Sequence, residues 1–236
     1  MEVGILPTSA PAVFVAAHQD DEVLTMGAAI RAHVAAGREV LVIVVGRGNK
    51  SVVRTRDLPR LLGYTPSETE FGASRDREFE RSVIALGAYP IVPPWAVRLD
   101  EKAFAASAAV ALLSDWVPEG SDLKTHTAYG EPNPDHVAVH DAVAALHTGG
   151  WTAYQPRFYA PSYRVAAVAS LGVRCHREGV STPIGREHQQ AYREIDLDLG
   201  YWGIGYQSVP YSFEAQLGDP FAYRVLEPTR ATGRAP

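Results

Sequence analysis

AVFVAAHQDDEVLTMGAAIRAHVAAGREVLVIVVG, residues 12–46, decides the fold. The apolar run 12–17 follows Pro11 without polar alternation, as expected of a central strand buried on both faces. Acids open the next stretch, Leu24, Ala28 and Ala32 recur at helical spacing, and Gly37 stops it, so one helix is expected over 21–37. Residues 38–46, rich in Val and Ile, read as a second buried strand. Strand, helix and strand in such close succession form a βαβ unit, which closes right-handed onto a parallel sheet.

The alternation continues outward from this unit. Residues 47–72 are polar and Arg-rich and read as a loop long enough to serve as a lid or binding segment. Helices are expected at 74–88, capped by Ser74 and stopped by Gly87, at 103–116, and at 134–147 with Pro134 in the first turn. A short strand is expected at 121–126. Beyond residue 150 the pattern weakens: a strand at 157–165, a helix at 185–197, an irregular Tyr- and Pro-rich remainder, and a frayed tail from Glu227. With no repeat and no Gly/Ser linker, residues 1–236 are expected to form a single α/β domain, a mostly parallel sheet with helices on both faces, whose last third (150–236) is the least legible.

Hydrophobic residues make up 46% of the chain and charged residues 21%, which supports a folded core rather than disorder. A net charge of -5 leaves no basic footprint for nucleic acid. The single cysteine, Cys175, allows neither an intramolecular disulfide nor a thiolate metal site, and it fits a reducing cytoplasm. No Lys or Arg precedes Arg31, so the basic start of a signal peptide is missing, and no apolar run approaches the ~20 residues of a membrane span. A cytoplasmic protein acting on a small molecule is the expectation.

His18, Asp20, Asp21 and Glu22 fall where the first strand meets its helix, the carboxyl edge at which open α/β sheets bind ligands. One acid at a helix start is explained by capping and the helix dipole. A histidine and three acids behind an apolar strand ask for a cation. The H-x-x-D spacing can aim His18 and Asp21 at one point and leave Asp20 free, a half-site for zinc, iron or another divalent metal. His136 or His140, near the start of the helix at 134–147, could complete a His, Asp, His set. Their i, i+4 spacing is that of H-E-x-x-H, but Val137 stands where that motif needs its glutamate. Asp135 reads as a helix cap or as a carboxylate that orients a histidine.

Together these segments resemble the PIG-L (LmbE-like) family of zinc-dependent N-acetylglucosaminyl deacetylases. Its signature A-H-P-D-D-E stands here as Ala17-His18-Gln19-Asp20-Asp21-Glu22, and its H-P-D-H as Asn133-Pro134-Asp135-His136. A weaker R-x-x-E before L-G appears as Arg75, Glu78, Leu86 and Gly87, and the likeness covers roughly 12–147. The resemblance implies a Rossmann-like domain in which His18, Asp21 and His136 bind zinc, Asp20 is the general base that activates water, and Arg75 lies near substrate. It implies as substrate an N-acetylated sugar conjugate, such as a glycolipid, small thiol or natural product. Two positions depart from the pattern. Gln19 replaces the motif proline and is expected to loosen the turn. Asn133 replaces a histidine that helps the oxyanion or acts as an acid; asparagine donates a hydrogen bond but transfers no proton. His126 and Tyr129 are the candidates for that missing role. A metal-dependent hydratase or lyase on a small carboxylic acid, or an inactive metal-holding binding protein, are the alternatives that Asn133 opens.

Overall fold

In the computed structural model, which describes residues 10–181 and 183–226, β1 (Ala12–Ala16) has every residue buried. Phe14 and Ala16 face one hydrophobic core while Val13 and Val15 face another. The helix expected over 21–37 is two: α1 (Asp21–Leu24) and α2 (Gly27–Ala35). The break lies at Gly27, where a Cβ would stand 3.0 Å from Ile184 Cδ1; the glycine admits that close packing and starts a new helix. β2 (Val40–Val44) pairs in parallel with β1.

The segment read as a long loop holds α3 (Val53–Arg56) and α4 (Leu58–Leu62), whose Val53 and Leu58 pack with Phe71 and Trp202. α5 (Glu68–Ala85) starts earlier than expected, because its cap is a box at Ser67: the Ser67 Oγ accepts from the Glu70 N–H, and the Glu70 carboxylate accepts from Ser67 N–H. Ser74 is instead a buried residue inside the helix, donating to the Gly200 carbonyl at 2.8 Å. Gly87 does stop it, at φ 84°. β3 (Tyr89–Ile91), unforeseen in the sequence, adds an edge strand where Pro90 is tolerated. Then come α6 (Ala106–Trp116), β4 (Asp122–His126), α7 (Pro134–Thr148) and β5 (Arg157–Ala160), the last cut short by Pro161 and a 3-10 turn at Ser162–Arg164.

The C-terminal third is more regular than its sequence suggested. It comprises α8 (Val165–Ser170), β6 (Arg174–Gly179), α9 (Arg186–Arg193), a small hairpin of β7 (Ile195–Asp196) and β8 (Tyr201–Trp202), α10 (Ile204–Ser208), α11 (Pro210–Gln216) and β9 (Phe221–Leu226). β9 inserts antiparallel between β5 and β6, giving a seven-stranded order β3-β2-β1-β4-β5-β9-β6. The tail from Glu227 lies outside the described residues. α2, α5, α9 and α11 cover one face of the sheet and α6 and α7 the other, so the expected single α/β domain is observed. No helix among the described residues is long and apolar enough to cross a membrane. Chain order reverses between β1 and β4, and the crevice at their carboxyl ends is where such sheets place ligands.

At the opposite edge, His33 of α2 is fully buried against Phe14 (ring centroids 5.5 Å apart), with Nδ1 3.3 Å from Arg38 Nη1. Burial, followed by the charges of Lys124 and Arg38, lowers its pKa to about 2, against the pull of Asp122. The unfolded chain therefore takes up a proton below pH ~6.5 that the folded state refuses, and stability falls with falling pH at up to ~1.4 kcal/mol per unit. Urea unfolding between pH 6.5 and 4.5 is expected to show a shallower loss for His33→Leu than for the wild type. Parallel curves would refute it.

Candidate metal centre

β1 hands the chain to a sharp turn at its carboxyl end. Asp20 there adopts φ 106°, a left-handed conformation that costs a non-glycine residue about 1–3 kcal/mol and persists only when its surroundings hold it. The buried Glu22 carboxylate accepts from Asp20 N–H at 3.1 Å and is itself held by Ser82 and Tyr192 hydroxyls at 2.7 and 2.8 Å. Arg75, only 5% exposed, donates to the Gln19 carbonyl, to Asp20 Oδ2 at 3.3 Å and to Glu101 at 3.1 Å. Gln19 does not loosen the turn: its buried amide donates to Asp76 Oδ1 at 2.8 Å and ties the motif to α5.

The turn places three donor atoms together. His18 Nδ1, His136 Nε2 and Asp21 Oδ2 stand 3.2, 3.3 and 3.5 Å apart. Donors around a tetrahedral metal at ~2.0–2.1 Å are spaced about 3.3 Å, so the two imidazoles and the carboxylate fit a divalent ion; they are also the group of described residues whose geometry could hold one. Each histidine has a carboxylate near its far nitrogen, hydrogen-bonded for His18 and at ion-pair distance for His136. Asp135 Oδ2 lies 3.1 Å from His18 Nε2, and Glu131 Oε2 lies 3.2 Å from His136 Nδ1. Asp135 also accepts the N–H groups of Lys102 and Phe104, which fix it. Burial alone would lower both histidines, but Asp135 and Asp21 push His18 up to about 9, and Asp21 and Glu131 push His136 up to about 10. Burial raises Asp21, yet His136 and His126 pull it well below the ordinary carboxylate value. The pocket is built to hold positive charge. Asp20 stands outside the triangle, and burial, opposed by Arg75, raises its carboxyl to about 7.

The other residues singled out in the sequence lie around this centre in different ways. His126 ends β4, accepts Ala17 N–H at Nε2 (3.2 Å) and stacks on the His136 ring at 4.4 Å. Burial lowers it to about 3, so it is a neutral imidazole with its proton on Nδ1, which meets no hydrogen-bond partner among the described residues. Asn133 caps α7, its Oδ1 accepting Asp135 N–H at 3.0 Å, which leaves the amide nitrogen as its donor. Tyr129 packs, half-buried, against Ala160, Val168 and Val225, on the side of β5 and β9. His140 stacks on Phe158 at 4.0 Å and supports the end of β4. Sequence reasoning gave Glu131 and Glu101 no role. Neither sits at a fixed offset from a ligand on one element, so no periodicity points to them.

The model of the PIG-L family, described as GlcNAc-PI de-N-acetylase, matches residues 13–147. No curated protein sequence matches the chain. Among solved structures, the zinc-inhibited form of the teicoplanin deacetylase Orf2 is 17% identical, with a TM-score of 0.58 over 94% of this chain and 100% of that one. The A40926 pseudoaglycone deacetylase Dbv21 is 18% identical, with a TM-score of 0.56 over 93% and 98%. GalB of Pseudomonas putida, a 4-carboxy-2-hydroxymuconate hydratase, is 15% identical, with a TM-score of 0.52 over 96% and 100%. At these identities the likeness is one of fold.

Proposed function

Because the chain belongs to the PIG-L family of GlcNAc-PI de-N-acetylases, we propose that it is a metal-dependent hydrolase that removes an N-acetyl or related N-acyl group from an amino sugar or a sugar-bearing natural product. The observation that carries this reading is the triangle of His18, Asp21 and His136 with Asp20 beside it and free of it. Those three residues would hold the ion, with zinc the first choice. When bound, it supplies Lewis acidity that polarises an amide carbonyl and lowers the pKa of water toward about 7.

The remaining chemistry belongs to the chain's own side chains. Asp20 takes a proton from the attacking water and returns it to the leaving amine. Arg75 and Glu22 hold its carboxyl and its backbone in place for that exchange. Asn133, whose oxygen is engaged as a helix cap, turns its amide nitrogen to the developing oxyanion. His126, neutral and stacked on His136, steadies that ring and passes no proton. Both transfers therefore fall to Asp20.

The test is metal analysis of the purified protein, then loading with zinc, iron(II) or cobalt(II) and a screen of N-acetylated amino sugars and glycopeptides by mass spectrometry. Iron and cobalt are included because one relative was captured in a zinc-inhibited form. Products lacking an acetyl group support the proposal, and failure to retain any divalent metal sinks it. A second reading, hydration of a small carboxylic acid, is favoured by Asn133 and by the likeness to GalB; its product gains water instead. Asn133→His is expected to raise kcat about tenfold, part of the ~10²–10⁴ that a general acid contributes, and to lower stability by ~1 kcal/mol through the lost cap. Unchanged kcat with the lowered stability would confine Asn133 to capping.

A further inference from the structure

We propose that Glu131 is a positioning residue for the metal-binding nitrogen of His136, and that it links this nitrogen to the C-terminal third through Arg164. The inference rests on the reading of His18, Asp21 and His136 as a metal centre. A neutral imidazole offers a lone pair from one nitrogen only when the proton sits on the other, and that N–H needs an acceptor to fix the ring. His136 turns Nε2 toward Asp21 and His18, so its proton belongs on Nδ1, a buried nitrogen that makes no aligned hydrogen bond and whose nearest carboxylate is Glu131 Oε2, at an ion-pair distance of 3.2 Å. His18 uses the opposite choice, Nδ1 inward and Nε2 on Asp135. The two rings thus need two separate acceptors, and Glu131 is the one that the H-P-D-H-like segment itself does not contain.

Glu131 is not a solvated loop acid. Its side chain is 6% exposed, and its Oε1 accepts Asn133 N–H at 2.8 Å and lies 3.5 Å from Arg164 Nη1. Arg164, in the 3-10 turn after β5, also donates to the Gly130 carbonyl at 3.1 Å. Glu131 therefore clamps three things at once: the ring of a metal ligand, the cap of α7, and a turn in the part of the chain that carries no motif. One carboxylate oxygen accepts Asn133 N–H while the other stands 3.2 Å from His136 Nδ1; a glutamine offers one oxygen and no charge, so it cannot serve both.

Glu131→Gln is accordingly the sharpest substitution, since it keeps size and removes one acceptor and the charge. Zinc affinity, measured by competition with a chromophoric chelator, is expected to fall about 10- to 100-fold. The ring ¹⁵N shifts of His136 are expected to move from those of the Nδ1–H tautomer toward a mixture. Glu131→Asp, which keeps the charge but is shorter by one methylene, should fall between. Urea unfolding of the chelator-treated proteins separates these effects from a folding defect. His136→Ala, titrated in parallel, distinguishes the two ways to fail. Loss of zinc there, with wild-type affinity and ring shifts in Glu131→Gln, overturns the role of Glu131 alone; unchanged affinity in His136→Ala overturns the metal centre itself.

Discussion

Asp20→Asn is expected to lower the turnover of an N-acetylated substrate by a factor on the order of 10²–10⁴, the usual contribution of a positioned general base, with metal affinity close to wild type. Asparagine keeps the shape and the carbonyl oxygen that Arg75 addresses at 3.3 Å, so the turn survives. It also tolerates the left-handed backbone at φ 106° better than most residues. What it lacks is a site that takes up a proton. The amide removes a charge that faces the buried Arg75, but Glu101 at 3.1 Å remains as a carboxylate partner for that guanidinium. The measurement is kcat of the metal-loaded variant beside a chelator competition. Unchanged turnover would take the base role from Asp20, and a parallel loss of metal would put Asp20 among the ligands instead.

The parts of this site that could be read from the sequence are those fixed by neighbours along the chain. An apolar β1 followed by His18 and Asp21, and Pro134 opening a helix two residues before His136, are local patterns, and the structure brings these residues together. Arg75 and Glu78 were legible only as a helical pair. The fold sends them apart, Arg75 to Asp20 and Glu78 to the N–H groups of Ile204 and Gly205 at the start of α10. Gln19 meeting Asp76, Glu131 meeting Arg164, and β9 slipping between β5 and β6 are long-range pairings that leave no periodic trace. The cap of α5 is a different kind of miss, since Ser67 and Glu70 form a capping box that sequence alone displays.

Asp122→Ala is expected to destabilise the protein by about 3–5 kcal/mol, the usual effect of removing one partner of a buried ion pair. Asp122 begins β4; its Oδ2 accepts from Arg38 Nη1 at 2.7 Å and forms an ion pair with Lys124 Nζ at 2.7 Å, while Nζ donates to the Asp122 carbonyl at 3.0 Å. Lys124 is fully buried, with Nζ 5.5 Å from the centre of the Phe14 ring, so removal of the carboxylate leaves Lys124 and Arg38 in the core without their shared anionic partner. Burial already lowers Lys124 to about 7 despite Asp122; without that partner its folded value drops further. The unfolded lysine titrates near ~10.4, so between these values the unfolded chain holds the extra proton and stability rises with pH. The deficit of the variant is therefore larger at pH 6, where the wild-type pair is charged, than at pH 9, where Lys124 is neutral in both. Asp122 and His126 occupy opposite ends of β4, about 13 Å apart at ~3.3 Å per residue, a separation at which effects add independently. Urea unfolding at the two pH values should show the deficit shrink as pH rises while zinc affinity holds. A deficit that stays constant from pH 6 to pH 9 would assign the cost to Arg38, whose guanidinium does not titrate there, rather than to Lys124, and a fall in zinc affinity would mean that the two ends of the strand are coupled.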